Sequence, residues 1–444
     1  MLLRLPPLRR CVVLAVLAII TQTLQVHAQN GPFLTGAGPI NRSMGGASVA
    51  APLDSLGATY WNPATTSALG NSMDFGVELL NVQSTLSSSY PASVFGPGIP
   101  PIPLSGTTNG DNGIVPLPSL GLVYRPEGSP WTYGLGVFAV AGFGVNYPGS
   151  ALFPLDSANP ILTAQAPNGL GLGPLYGNLQ VMQIAPTLSL QVTDRLSIGG
   201  GPTVNLALLQ IDPLFVAPLD PRLNYVPGTH SHMTWGGGFQ VGAFYKLDGG
   251  WNLGASFKSP QWFEPFRFNT VDTLGTPRRS NFRGELPLIA SVGVAYSGFD
   301  RWLLAADFRY VDFGNADGFQ QAGFDAAGAT RGLGFRSTFA MAAGAQYQVT
   351  DRVSLRLGYT FNENPIPDSQ TSFNVVSPTI IEHTLYCGAS YNVSNALKLS
   401  VGYAHAFQNS IEGPLVLPVG TIPGTLIRST VAADTYMVGA TVRY

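Results

Sequence analysis

Histidine, cysteine and glycine-rich stretches are the parts of this sequence that could carry catalytic, metal or phosphate chemistry. His230 and His232 have no carboxylate beside them, a pattern more typical of solvated loop side chains than of a metal site. His383 falls on the apolar face of a strand pattern, and no nucleophile motif accompanies it. The glycine runs at 199–201 and 236–238 lie inside strand patterns, not between a strand and a helix, so they are not phosphate loops. The sequence therefore predicts no enzyme, no cofactor and no metal site.

The composition indicates a chain whose outer surface partly avoids water. Charged residues make up 10% of the 444 positions, against about 25% in soluble domains. The 45% of hydrophobic residues excludes a disordered chain, which is poor in such residues. The chain has 22 Lys and Arg residues and 24 Asp and Glu residues, so it lacks the excess of basic residues that is typical of a nucleic-acid-binding protein. We therefore expect no nucleic-acid partner.

Residues 1–28 have the pattern of a secretory signal peptide. Three arginines precede an apolar run of ten residues that starts at Cys11, and Val26-His27-Ala28 fits a small-x-small cleavage site. Ten apolar residues are too few to cross a bilayer as a helix, which needs about 20. Removal of the signal would leave Cys387 as the single cysteine, so we expect no disulfide.

Alternating apolar and polar residues dominate the rest of the chain. In the segment 352–362, five apolar side chains share one face and polar side chains share the other. The segment 436–444 behaves alike, and its apolar face begins and ends with Tyr. Eight steps of about 3.3 Å reach about 26 Å, close to the ~25 Å apolar band of an outer-membrane barrel, whose two edges carry aromatic girdles.

Fourteen segments follow this pattern, and short turns alternate with long loops between them. We predict strands near residues 73–83, 117–126, 131–142, 180–192, 195–209, 234–247, 250–260, 285–297, 301–313, 336–349, 352–363, 379–393, 396–409 and 432–444. An even strand number with this loop asymmetry is typical of bacterial outer-membrane barrels. The predicted fold class is an all-β, 14-stranded antiparallel transmembrane β-barrel over residues 72–444. A large soluble β-sandwich or barrel would also alternate, but it would not produce the loop asymmetry, the aromatic ends and the low charge together.

The long loops are unusually apolar, notably at 97–104, 211–219 and 413–419. Exposed apolar surface usually marks a binding site, so one interpretation is an external funnel that captures a hydrophobic molecule. The alternative is that the loops pack on one another and cap the barrel. The composition does not separate the two.

Residues 29–71 precede the first predicted strand and are rich in Gly, Ala, Ser and Asn. The lumen of a fourteen-stranded barrel is wide enough to need filling or to conduct. We therefore predict that this segment folds into the lumen as a plug, which we call the hatch.

Two motifs in this segment carry a resemblance to a known family. Asn41-Arg-Ser-Met-Gly-Gly-Ala-Ser-Val-Ala50 is followed by Asp54-Ser-Leu-Gly-Ala-Thr-Tyr-Trp-Asn-Pro-Ala64. This order of a Gly/Ala-rich stretch, an acidic residue, an aromatic residue and Asn-Pro-Ala resembles the N-terminal hatch of the FadL/TodX family. Weaker matches follow in the expected order at 254–260, 285–287 and 364–368. Members of that family are outer-membrane transporters of long-chain fatty acids and aromatic hydrocarbons.

The resemblance implies a route for a hydrophobic ligand, with gating by the hatch at Asn62-Pro63-Ala64. The ligand would leave sideways into the bilayer through a kink in the third strand, where Gly142, Phe143 and Gly144 are the candidates for the opening. The alternatives are a simple Asx-Pro turn at 62–64, and glycines that merely end the strand. Because the Pro-rich loops depart from those of the fatty-acid transporters, the identity of the ligand does not transfer.

The predicted partners follow from the predicted location, the bacterial outer membrane. We expect a monomer that takes up a hydrophobic small molecule, such as a long-chain fatty acid or a hydrocarbon, and that contacts outer-membrane lipid. The terminal aromatic Tyr444 looks like the signal that the barrel-insertion machinery recognises. The alternative function is a general porin or a structural outer-membrane protein without specificity for hydrophobic ligands.

Overall fold

A computed structural model describes residues 31–228 and 233–444. The predicted signal peptide at 1–28 and the His230 and His232 pair lie outside the described residues.

Fourteen antiparallel strands form a closed ring, which confirms the predicted fold class. The strands are β1 Ser72–Tyr90, β2 Ile114–Tyr124, β3 Trp131–Tyr147, β4 Leu175–Gln191, β5 Leu196–Asp212, β6 Thr234–Lys246, β7 Trp251–Lys258, β8 Ile289–Tyr296, β9 Trp302–Val311, β10 Thr338–Gln348, β11 Val353–Asn362, β12 His383–Asn392, β13 Leu397–Gly413 and β14 Leu426–Arg443. Short strands Gln261–Phe263 and Glu285–Leu286 extend β7 and β8. The ring closes where β1 pairs with β14, from Ser72 with Arg443 to Ser89 with Leu426.

Several strands run further toward the loops than the alternation predicts. β1 continues to Tyr90, seven residues past the predicted end, and β14 begins at Leu426, six residues before the predicted start. The added part of β1 is mostly Ser and Thr, as in 84–89. Above the lipid band both faces of a strand meet polar surroundings or loops, so the hydrophobic alternation ends before the hydrogen-bonded ladder does.

The apolar face of each strand points out of the ring. In β11 the outward side chains of Leu355 and Leu357 are 48% and 56% exposed, whereas Ser354 and Arg356 are buried inside. This is the reverse of a soluble β-barrel, whose core is apolar. The exposed apolar belt is therefore suited to contact with the lipid tails of a membrane.

One end of the ring carries short turns and the other carries the long loops. In three turns a hydroxyl group, from Thr193, Thr350 or Ser394, accepts a hydrogen bond from the backbone N–H three residues later. The loop end holds short strands at Leu104–Asn109, Phe266–Val271, Pro277–Phe282, Gly323–Phe324, Thr330–Gly332, Val416–Leu417 and Gly420–Thr421. It also holds 3-10 helices at Leu155–Ser157, Pro160–Leu162, Phe313–Asn315 and Asp368–Asn374, and a further one, Asp248–Gly250, lies in a short turn.

The segment before β1 lies inside the ring. It forms two short helices, α1 Pro39–Ser43 and α2 Ser55–Trp61, and a 3-10 helix, Pro63–Ala68. α2 begins where the side chain of Asp54 accepts a hydrogen bond from Gly57 N–H, the usual way to satisfy a free donor at a helix start. Nearly all of this segment is buried against the inner faces of the strands. No helix among the described residues is long and apolar enough to cross a membrane.

Candidate functional site

The ring has a gap in its hydrogen-bond ladder between β2 and β3. β2 pairs with β1 along its whole upper part, up to Ile114 with Asn81, but it pairs with β3 only from Tyr124 to Ser119. The upper half of β3, from Ala139 to Tyr147, therefore has no partner in β2. Above the gap the N–H of Asp111 donates to the carbonyl of Asn146 over 2.8 Å, so the opening is a window in the wall.

Two prolines in β2 suit this unpaired edge. Pro116 and Pro118 are two residues apart, so their missing N–H groups fall on the same edge of the strand. Proline cannot donate to a ladder and is confined to strand edges. The sequence analysis overlooked this signal, which marks β2 as a strand with one free edge.

The first described residues of the hatch lie against the free edge of β3. The register between β3 and β4 shifts between Ala139 and Ala141, so Val140 is left out of the ladder. Leu34 N–H donates to the carbonyl of Val140 over 3.0 Å, and Gly142 N–H donates to the carbonyl of Pro32 over 2.8 Å. The segment 32–34 therefore covers part of the window as a strand fragment held by two backbone hydrogen bonds.

An apolar cavity of about 220 Å³ lies behind the window. Its lining includes Pro116, Pro118, Phe33, Ala141 and Val145, so it is continuous with the gap between β2 and β3. For comparison, a cavity of about 150 Å³ in another protein holds a benzene molecule. The space is thus suited to a small apolar ligand.

A second cavity of about 80 Å³ lies toward the loops and is almost entirely apolar. Phe143, Leu179 and Val181 line both cavities, so the two are neighbours across these side chains. Its other wall is formed by aromatic residues of the loop end, among them Phe266 and Phe319. Together the two cavities trace a hydrophobic path from the loops to the window.

The structure places the three predicted opening residues on this path. Gly142, Phe143 and Gly144 all line the first cavity, and Phe143 also lines the second. β3 continues through them to Tyr147, so the two glycines lie inside the strand and do not end it. The register shift falls just before them, at Val140. A Cβ at Gly142 would lie 2.7 Å from the carbonyl oxygen of Leu179, whereas at Gly144 the nearest atom is 4.0 Å away.

The predicted gating tripeptide lies at the other end of the hatch, away from the window. Asn62 Nδ2 donates to the carbonyl of Val49 over 2.7 Å and to the carbonyl of Ala243 in β6 over 2.9 Å. Its Oδ1 accepts a hydrogen bond from Ala64 N–H and so caps the start of the 3-10 helix Pro63–Ala68. Asn62 thus forms an Asx-type turn and also joins the hatch to the wall.

Buried carboxylates hold the hatch in the ring. Asp307 in β9 accepts backbone hydrogen bonds from Ser48 over 2.9 Å and Val49 over 3.1 Å. Arg309 pairs with Asp307 over 2.8 Å and lies 3.6 Å from the ring centre of Trp61 in α2. These contacts are charge-assisted and fully buried, which makes them strong and geometrically specific.

A second carboxylate joins α1 to β1. Glu78 pairs with Arg42 of α1 over 2.5 Å and accepts from Gly38 N–H over 2.9 Å. Both side chains are almost fully buried. The charge of each is therefore satisfied by the other inside the lumen.

A belt of glycines brings the hatch backbone directly against the wall. Six glycine pairs face each other across neighbouring strands: Gly76 with Gly439, Gly121 with Gly136, Gly199 with Gly242, Gly254 with Gly293, Gly344 with Gly358, and Gly388 with Gly402. At each of these positions a hatch atom lies within 3.4 Å of the place that a Cβ would take. Glycine inside a strand often marks such a close backbone approach. The belt was not among the predicted sites, although the sequence shows one glycine on the inward face near the middle of most strands.

The two cavities present mainly apolar side chains, which suits them to apolar molecules. Among the described residues no group of three or more His, Cys, Asp or Glu side chains could hold a metal ion. Arg42, the charged residue that lines the first cavity, is engaged with Glu78 in attaching the hatch. The window, the cavities and the sealed lower lumen together define the candidate site.

Comparisons with known proteins agree with this architecture. Residues 171–444 match the family described as outer membrane protein transport protein (OMPP1/FadL/TodX). No curated protein matches the chain in sequence. The fold is similar to the toluene transporter TodX of P. putida, with 17% identity, a TM-score of 0.65 and coverage of 93% of this chain and 99% of that one. It is also similar to the Ralstonia pickettii toluene transporter TbuX, with 17% identity, a TM-score of 0.64 and coverage of 93% of this chain and 99% of that one. A Pseudomonas aeruginosa FadL homologue is similar as well, with 15% identity, a TM-score of 0.66 and coverage of 93% of this chain and 99% of that one.

The family match covers more than half of the chain, and the similar structures share its closed fourteen-stranded fold. The chain therefore belongs to the OMPP1/FadL/TodX family of bacterial outer-membrane transport proteins, which are passive channels and not enzymes.

Proposed function

We propose that this protein takes up hydrophobic small molecules across the outer membrane and releases them sideways into the bilayer. The ligand is captured among the apolar loops, passes Phe143 and the two cavities, and leaves through the window between β2 and β3. The observation that carries the proposal is the continuity of the apolar cavity with the unpaired edges of Pro116, Pro118 and the upper half of β3.

Sideways release is favoured by the hydrophobic effect. A ligand that leaves through the window stays out of water, which is worth about 0.8 kcal/mol for each CH₂ group. Release downward would expose the ligand to the periplasm, and the hatch packs against the glycine belt on that side. Lateral exit is therefore the lower-energy route for a hydrophobic molecule.

The bonding pattern supports a small movement in the hatch. The segment 32–34 is held at the window by two backbone hydrogen bonds and by one from the Tyr60 hydroxyl to the Leu34 carbonyl, each worth about 0.5–1.5 kcal/mol net. Release of the hatch from Asp307 would break the two hydrogen bonds that Ser48 and Val49 N–H donate to this buried carboxylate, and a hydrogen bond to a charged group is worth about 1.5–3 kcal/mol. We propose that the segment 32–34 moves aside while the part anchored at Asp307, Glu78 and Asn62 stays in place.

The experiment is uptake of toluene into cells that lack other outer-membrane hydrocarbon channels and express either the wild-type chain or a variant. Gly144→Arg has room for its side chain and places a charge in the window. We expect it to reduce uptake at least about tenfold, because an unpaired charge in an apolar passage is costly. Gly70→Arg is the matched control, since Gly70 also has open space around it but lies at the turn end.

Asn62→Ala tests the predicted gating role separately, because it removes two hydrogen bonds between the hatch and its surroundings. We expect reduced uptake with unchanged heat-modifiable migration of the barrel. Equal uptake by cells with and without the protein would contradict the proposal. Passage of small sugars at the same rate as toluene would favour a general porin.

A further inference from the structure

We propose that the ligand of this route is uncharged, and that the protein discriminates against carboxylates such as ionised fatty acids. The inference rests on the proposed uptake function and deepens it. It follows from the charges that line the two cavities.

The first cavity offers no free positive charge. Among the described residues that line it, Arg42 is the only charged side chain. Its guanidinium is already neutralised by Glu78 at 2.5 Å, and both side chains are buried. Glu78 is fixed in turn by Gly38 N–H, so the pair is part of the hatch attachment. A carboxylate that entered would have to compete with Glu78 for the same cation.

The surface of the second cavity is almost entirely apolar, and the two charged residues at its border are both acidic. Glu285 and Asp317 belong to its described lining, which includes no Lys or Arg. The two residues are close, because Asp317 N–H donates to Glu285 Oε1 over 3.3 Å and Glu285 N–H donates to the Asp317 carbonyl over 3.1 Å. Juxtaposed like charges are a common means of rejecting the wrong ligand. An anion in this cavity would lie near these two acidic residues and would find no cation among the described lining residues.

The rest of the lining suits a neutral molecule. The side chains are mainly aliphatic and aromatic, with scattered amides and hydroxyls such as Asn178, Gln180 and Thr435. Amides and hydroxyls can meet a neutral polar group, but an ionised carboxylate that is buried without a cation is strongly disfavoured. Hydrocarbons, alcohols and esters therefore fit the route better than fatty-acid anions.

The experiment compares decanol with decanoate, which share a ten-carbon chain and differ in charge. Binding of each labelled compound to the full chain in lipid nanodiscs is measured at pH 8, where the carboxylate is ionised, with empty nanodiscs as the blank. We expect decanol to bind above the blank and decanoate to bind at least about tenfold more weakly, a difference of about 1.4 kcal/mol.

Glu78→Gln provides a gain-of-function test. Glutamine keeps an oxygen that can accept from Gly38 N–H but frees the charge of Arg42. We expect the affinity for decanoate relative to that for decanol to rise at least about tenfold over the wild type. Glu412→Gln is the matched control, since it removes a carboxylate from an exposed pair with Arg428 and should change neither ligand.

Each outcome is decisive. Decanoate binding as tight as decanol binding in the wild type, or no gain in folded Glu78→Gln, would overturn the charge discrimination and leave the uptake function standing. Absence of binding by both compounds would instead contradict the proposed function. If Glu78→Gln fails to fold, Glu285→Gln replaces it, with an expected gain in decanoate binding of about threefold, and an unchanged value would overturn the inference.

Discussion

The backbone N–H of Leu34 donates to the carbonyl oxygen of Val140 over 3.0 Å. Val140 has no partner in the ladder between β3 and β4, because the pairing register shifts between Ala139 and Ala141. The beginning of the hatch and the irregular point of the wall are thus joined through the backbone, and the Tyr60 hydroxyl also lies within hydrogen-bond distance of the carbonyls of Leu34 and Val140. Because no side chain of Leu34 takes part in this bond, only a change in the backbone donor would remove it.

Leu34→Pro should open the window more easily. Proline has no N–H, so the bond to Val140 is lost, whereas Leu34→Ala keeps it. A loss of about 0.5–1.5 kcal/mol corresponds to a roughly 2- to 10-fold rise in toluene uptake. Uptake by Leu34→Pro that matches that of Leu34→Ala would show that this bond does not limit passage.

Gly254→Val should displace the hatch from the wall. A side chain at Gly254 would collide with the backbone of Val49, which lies directly against it. We expect the folded form to be lost at a lower temperature in gel electrophoresis of heated samples. We also expect measurable ion conductance in planar bilayers, because a displaced hatch leaves space for water. Gly70→Val lies in open space and should behave as the wild type. A Gly254→Val variant with wild-type stability and no ion conductance would argue against a sealing role for the glycine belt.

Asp307→Asn should weaken the attachment of the hatch far more than the loss of an exposed ion pair. The amide can still accept a hydrogen bond, but Arg309 would remain buried without its counter-charge, at a cost of about 3–5 kcal/mol. Arg428→Ala breaks an exposed pair with Glu412, which is worth about 0–1 kcal/mol. Denaturant unfolding of both variants in detergent measures the difference, and equal midpoints would contradict this ranking.

Acid should loosen the loop that contains Asp220, which contacts Thr273 in the separate loop that contains Asp272. Burial tends to raise the pKa of Asp220, but hydrogen bonds from Thr273 and from the backbone of Asn224 and Arg222 outweigh it, so the pKa lies below the ordinary 3.8. The pKa of Asp272 is lowered chiefly by the backbone N–H of Thr276. A lowered folded-state pKa stabilises the loop above the ordinary value, and this stability is lost as the pH falls through the folded pKa.

The loop should therefore become more sensitive to an acid-active protease as the pH falls from about 4 toward 2, and remain protected at pH 6. The double variant Asp220→Asn, Asp272→Asn retains oxygen acceptors but cannot titrate, so its cleavage should depend much less on the pH of the assay. The same acid sensitivity in the variant would show that other groups control the loop.

Much of the architecture could be predicted because it depends on local periodicity. Alternation in segments such as 352–362 places every second side chain toward lipid, and this pattern requires no knowledge of neighbouring strands. Strand ends above the lipid band were less predictable, as at Tyr90, because the hydrophobic contrast disappears there while the ladder continues. The Asn62-Pro63-Ala64 motif and the glycines at 142 and 144 were visible as residues, but their roles remain predictions.

The sequence by itself determined that the outer face of the barrel contacts lipid, and that short turns lie at one end and long loops at the other. Both follow from the order of residue types along successive strands. Only the tertiary structure decided where the wall is open and what charge the route presents. The free edge of β3 depends on where its pairing with β2 stops, at Ser119 with Phe138. The neutralisation of Arg42 depends on Glu78, which is 36 residues away in the chain. Such contacts arise when the ring closes around the hatch, so they depend on distances between strands and not on any local pattern.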